Sequence, residues 1–377
     1  MIYADNAATT PLDLEAYEAM NPYWWENYGN PSQPYSMARE PRIALKRARK
    51  TIANCIGADA EEIYFTSCGT ESDNWVIKEA GCAGLEDGAR TEIITSAIEH
   101  HAILNACDSV KGRGCDIKYL SPTSDGIIPV QALQAAISNK TQLVSVMLAN
   151  NEIGTIQPIQ ELCTIAHQQG ALFHTDAVQA IGHISIDAHK LGVDFMSASA
   201  HKFNGPKGIG FLYIRKGIEI SSYMSGGAQE RGLRAGTENV PLIVGMAKAL
   251  EQNCRYLEET ENHLMEIESF FLKTLKEKKL DFIRNGETVC RVPGNVSVSF
   301  RGASGEMILH RLDLKKIFIS TGSACDSKNT QKSHVIKAIA VPEEYAYGTI
   351  RVSFGKHNSL EDARNIAVEI ARILNAE

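Results

Sequence analysis

The chain has 377 residues, 44% of them hydrophobic and 22% charged, with a net charge of −7 and nine cysteines. This is ample apolar sequence for a cored two-domain enzyme, and the acidic balance, with no block of like charge, argues against nucleic-acid binding. No run of about 18 apolar residues is present, so no transmembrane helix is expected.

The first residues open without a basic and apolar leader, so no signal peptide is expected. The cysteines are scattered and no two form a Cys-x-x-Cys pair. They read as reduced thiols of a cytoplasmic protein, not as a disulfide framework or a zinc site. The basic cluster Arg42, Lys46, Arg47, Arg49 and Lys50 reads as the wet face of a helix.

From there, short apolar strands alternate with amphipathic helices. Strands are predicted over 62–66, 92–95, 143–148, 171–174, 193–197 and 209–214. Helices are predicted over 71–82, 101–110 and 159–168. Such alternation predicts an α/β fold with a mostly parallel sheet covered on both faces. Beyond Asn239, apolar residues from Ile243 to Leu275 recur at helical spacing, as in a long connecting helix. Strands over 295–300, 317–319 and 349–354 follow, with helices over 306–312 and 360–374. They predict a smaller α+β domain. The expected division is a large domain over 12–255 and a small one over 256–377 that also takes residues 1–11.

Candidate site residues fall where strands end, the place where open α/β sheets collect ligands. Ser67-Cys-Gly-Thr70 follows a strand and opens a helix, which suits an anion held by backbone N–H groups. His100, Asn150 to Gly154, Asp176 to Gln179 and Ser199 to Lys202 follow other strands. A buried lysine is costly in its charged form, whereas its neutral amine is a Schiff-base nucleophile. Asp176 could pair with a protonated pyridine nitrogen. Gly205-Pro-Lys-Gly-Ile-Gly210 precedes a strand and is not a nucleotide loop. Near the C-terminal end, Ser320-Thr-Gly-Ser-Ala-Cys325-Asp-Ser sets a thiol among small residues. An amine and a thiol nucleophile in one chain point to pyridoxal phosphate chemistry on an amino acid, completed by a sulfur nucleophile.

These motifs, with Asp5-Asn-Ala-Ala-Thr-Thr-Pro11, Gly29-Asn-Pro31, Phe65-Thr-Ser-x-Gly-Thr-Glu-Ser-Asp-Asn74, Glu99-His100, Arg234-x-Gly-Thr237 and Ile350-Arg351, resemble the cysteine desulfurases of the NifS/IscS type. These belong to the class V aminotransferase group of pyridoxal-phosphate enzymes. The resemblance covers nearly the whole chain, and Gly322-Ser-Ala-Cys325 is similar to the branch with a long catalytic loop. It implies fold type I, the aspartate aminotransferase-like fold, and a homodimer. It implies that Lys202 holds the cofactor, His100 stacks on the ring, Asp176 pairs with the ring nitrogen and Gln179 contacts the phenolic oxygen. Gly69, Thr70, Ser199 and His201 would bind the phosphate, with Thr237 reaching the neighbouring subunit's phosphate. Asn151, beside the cofactor, and Arg351 would hold the carboxylate of L-cysteine. Cys325 would take the sulfur as a persulfide and pass it to an acceptor protein, an iron–sulfur scaffold or a thiolation enzyme.

Three features depart from the family pattern. Asp326 follows the cysteine where Ser or Thr is usual, Cys68 replaces a glycine, and residues 32–41 differ from the customary His and Gly. The rival readings are a selenocysteine lyase or related lyase, and a non-catalytic partner protein of the same fold.

Overall fold

The computed structural model describes residues 1–87, 90–286, 290–321 and 332–375. Cys325 and Asp326 lie outside the described residues. Twelve strands are described: β1 (Ile2–Tyr3), β2 (Ile63–Thr66), β3 (Glu92–Ser96), β4 (Asp116–Leu120), β5 (Thr141–Ser145), β6 (Leu172–Asp176), β7 (Phe195–Ser199), β8 (Gly210–Ile214), β9 (Phe282–Arg284), β10 (Asn295–Phe300), β11 (Ile317–Phe318) and β12 (Thr349–Ser353).

Seven strands form one sheet in the order β2-β8-β7-β6-β5-β3-β4. β8 runs antiparallel to both of its neighbours, and the remaining pairs are parallel. Successive residues on a strand point to opposite faces. Ile94, Val144, Phe173, Met196 and Phe211 therefore pack on one side, against Ala44, Leu45 and Ile52 of the helix Arg39–Cys55. Their neighbours Ile93, Leu143, Phe195 and Leu212 pack on the other, against Trp75, Ile77, Ile103 and Cys107. Both faces are dry, so the strands read as apolar runs and not as polar alternation.

The edge strand β4 escapes sequence reading because its sequence, Asp-Ile-Lys-Tyr-Leu, is largely solvent-facing. The apolar repeat from 243 to 275 is two helices, not one. Val240–Arg255 ends at Tyr256, whose φ of −107° and ψ of 22° break the helix before Leu257–Glu277 begins. The second helix sends Leu264, Ile267, Phe271 and Leu275 into a separate core with Val296, Val298, Ile350, Val352 and Ile366. That core rests on the antiparallel sheet β12-β10-β9.

The first residues belong to both parts. β1 pairs in parallel with β11, and Ala7 N donates to Ser353 Oγ on β12 at 2.9 Å. A few residues on, Thr10 N donates to His201 O and Asp13 N to Asn204 O, both at 2.9 Å. The segment thus bridges the small sheet and the end of β7, and its carbonyls hang over the loop that carries Lys202.

Candidate active site

The carboxyl ends of the parallel strands open into a cavity of about 370 Å³. It takes in Gly69, Thr70, His100, Asn151, Asp176, Gln179, Ser199, His201, Lys202 and Arg351. Ten of the residues singled out from sequence therefore converge on one space. Thr237 does not join them. It is exposed and lines a second cavity of about 230 Å³ with Ser67, Arg234 and Gly236.

Lys202 ends the short turn Ala200–Lys202 that follows β7. The chain then reverses through Asn204, at a φ of 61°, a left-handed conformation that asparagine tolerates better than most residues. Gly205 follows because a Cβ there would stand 2.9 Å from Ala200 O. The Lys202 Nζ donates to Ala7 O at 2.7 Å and to Ala8 O at 2.9 Å. Gln179 Nε2 donates to the same Ala7 O at 2.9 Å.

His100 is the N-cap of the helix His101–Lys111, with Nδ1 accepting from Ala102 N at 3.2 Å. Burial, reinforced by Lys202 and His101, lowers its pKa to about 4. The ring is neutral at physiological pH, and its proton sits on Nε2 because Nδ1 accepts. Asp176, at the end of β6, accepts from Val178 N at 2.9 Å. Burial raises its pKa to about 6, against the opposing pull of the Val178 amide and the charge of Lys202. His201 Nδ1 lies 3.1 Å from Thr9 Oγ1, and burial lowers its pKa to about 4.

Gly69 opens the helix Gly69–Asp87, where a Cβ would meet Val178 Cγ2 at 2.6 Å. The helix N-terminus presents unpaired N–H groups that suit an anion. Arg351 is 4% exposed; its Nη1 donates to Asn151 O and its Nη2 to Asp5 Oδ1, each at 2.8 Å. Its Nε is buried and has no hydrogen-bond partner among the described residues. A buried donor left over is costly unless a ligand takes it.

The residues fit a phosphorylated pyridine aldehyde. They offer an amine for the aldehyde, a buried carboxylate for a ring nitrogen, a helix N-terminus for the phosphate and a guanidinium for an amino-acid carboxylate. Glu152, within the 150–154 stretch singled out from sequence, also lines the cavity, whereas Asp73, His101, Ser333 and His334 were given no role there. Only Asp73 had a usable signal, lying one helical turn beyond Gly69. The His101 and His334 rings meet at 4.9 Å although 233 positions separate them in the chain.

The aminotransferase class-V model matches residues 2–366. The chain is 46% identical over 373 residues to a cysteine desulfurase IscS of Methanosarcina thermophila, covering 99% of this chain and 92% of that protein. A solved NifS-like protein is 37% identical, covers both chains completely and superposes with a TM-score of 0.93. SspA in complex with cysteine is 35% identical, covers 95% of this chain and all of the other, and gives a TM-score of 0.84. The expected fold type I is the fold of this chain. With its length matched almost from end to end, the chain belongs to the aminotransferase class-V family.

Proposed function

We propose that the chain is a pyridoxal-phosphate-dependent cysteine desulfurase. It removes sulfur from L-cysteine, leaves L-alanine, and holds the sulfur as a persulfide on Cys325. An acceptor protein of iron–sulfur cluster assembly, or of tRNA or cofactor thiolation, then takes that sulfur. The observation carrying this reading is the convergence of Lys202, His100, Asp176 and Arg351 on one cavity, in a chain 46% identical to a cysteine desulfurase.

Lys202 is the amine that holds the cofactor, with Asp176 at the ring nitrogen and Gln179 at the phenolic oxygen. Gly69, Thr70, Ser199 and His201 hold the phosphate. When bound, the cofactor supplies an electron sink for negative charge at the substrate Cα. A positive ring nitrogen would keep Asp176 ionised, countering the burial that now raises it. Arg351 receives the substrate carboxylate, using the buried Nε that lacks a partner among the described residues, and Asn151 holds the other side. The Lys202 amine would take the Cα proton, and neutral His100 could donate from Nε2.

Cys325 then attacks the substrate sulfur as a thiolate. A new S–S bond forms as the Cβ–S bond breaks, and that bond's electron pair stays with the carbon fragment. Protonation leaves L-alanine, and Cys325 keeps the sulfur. A free thiol has a pKa near 8.5 and is mostly protonated at pH 7, so the reaction depends on raising its thiolate fraction.

We further propose a division into domains 12–255 and 256–377, with residues 1–11 joining the second. The working form is a homodimer in which Thr237 reaches the neighbour's phosphate, in keeping with its place outside the first cavity. A cytoplasmic location fits the free cysteines. Among the described residues no helix is long and apolar enough to cross a membrane. The reading is tested by incubating the purified protein with L-cysteine and a reductant and assaying sulfide against alanine. Equal yields support it, and pyruvate in place of alanine overturns it.

A further inference from the structure

Two carboxyl groups, Asp73 and Asp176, share the cavity floor. Asp176 feels the charge of Lys202, whereas among the described residues that face Asp73 none is a cation. Asp73 lies one turn beyond Gly69 on the same helix, so both face the sheet. It is 1% exposed, and among the described residues its Oδ1 has no hydrogen-bond partner. The nearest imidazole, His174, holds Nε2 at 3.7 Å from that oxygen.

His174 cannot act as the counter-ion. Its Nδ1 lies 2.9 Å from Ser145 Oγ and its Nε2 3.0 Å from Ser197 Oγ, and burial lowers its pKa to about 3. The other groups facing Asp73 are Asp176 on β6, Glu99 beyond β3, Cys68 before the helix and the Ser197 hydroxyl on β7. Burial first, and then the charge of Asp176, push the Asp73 carboxyl well above the ordinary range. A second buried carboxylate would stand as an unpaired ion, the costliest state available to it.

We propose that Asp73 is a positioning residue for Asp176: it remains a neutral carboxylic acid, so that the pair carries one negative charge, held on Asp176 where the ring nitrogen would lie. The role of Asp176 in this statement rests on the desulfurase reading; the protonation of Asp73 does not.

The test uses the cofactor-free full-length protein, wild type beside Asp73→Asn. Folded wild type must keep a proton that the unfolded chain loses above the ordinary carboxylate range. Its stability therefore falls as pH rises, until the folded-state pKa is passed. The variant has no such proton. The ratio of folding equilibrium constants, variant over wild type, should rise about tenfold per pH unit from pH 5 upward. Infrared spectra at pH 7 should show a carboxylic-acid carbonyl band that weakens in the variant. Asp73→Ser serves as a second variant should the asparagine protein not fold. A pH-independent ratio together with an unchanged carbonyl band would overturn the proposal. Neither measurement uses cofactor or substrate, so its failure leaves the desulfurase reading standing, and failure of sulfide release leaves this result standing.

Discussion

Lys202 and Gln179 donate to a single acceptor, the carbonyl of Ala7, at 2.7 and 2.9 Å. Ala7 sits on the segment that runs from β1 across to the loop after β7. The N-terminal residues therefore set the positions of two side chains far along the chain. On the proposed function, Lys202 and Gln179 would have to release or rearrange these bonds to hold a cofactor.

On the proposed function, replacing Lys202 by alanine removes both the amine that would hold the cofactor and the group that would move the Cα proton. Sulfide release should fall by more than about 10³-fold, since general acid–base catalysis alone contributes about 10²–10⁴-fold. The purified variant should also lack the visible absorption of a lysine-bound cofactor. Retained turnover in Lys202→Ala would remove Lys202 from the chemistry.

Arg351→Lys keeps the charge but loses the planar fork that already spans Asn151 O and Asp5. A lysine cannot reproduce a bidentate carboxylate contact on top of those bonds. KM for L-cysteine should rise about 10- to 100-fold, in line with about 1.5–3 kcal/mol for a charged hydrogen bond. Steady-state kinetics with kcat and KM resolved would check this, and an unchanged KM would count against carboxylate binding by Arg351.

Gly69→Ala places a methyl group 2.6 Å from Val178 Cγ2. Overpacking of this kind costs about 1–3 kcal/mol, and here it also shifts the helix end assigned to the phosphate. Cofactor affinity should weaken about tenfold, by fluorescence titration. Val178→Ala in the same chain should restore most of it; a double variant as weak as the single one would place the fault elsewhere.

The acid side of the stability curve should report His174. Burial lowers its pKa to about 3 from the ordinary 6.5. The unfolded chain takes up the proton first, so this contribution is complete above pH 6.5 and is lost as pH falls toward 3. Across that window His174→Asn should flatten the slope of unfolding free energy by up to about 1.4 kcal/mol per pH unit. Urea melts at pH 4, 5, 6 and 7 on the cofactor-free protein measure it, and identical slopes would contradict the buried neutral ring.

The sheet could be read from sequence because its strands are buried on both faces. Ile93 and Ile94, or Phe195 and Met196, are apolar neighbours pointing into different cores. β4 could not be read because it lies at an edge, where exposure removes the apolar signal. The break at Tyr256 was hidden because both helices keep the same apolar spacing across it. At the site, His100, Asp176 and Lys202 stood out because each follows a strand. Ser333 and His334 did not, since they reach the cavity through bonds to Glu152 and to Glu99 O that no local spacing encodes.

The proposed activity turns on sulfur transfer through Cys325. Purified protein, loaded with pyridoxal phosphate and given L-cysteine and dithiothreitol, should release sulfide and alanine in equal amounts. Cys325→Ala should keep the yellow colour and lose that release. Pyruvate as the product, or sulfide release that survives the substitution, would contradict the account and make Cys325 a bystander.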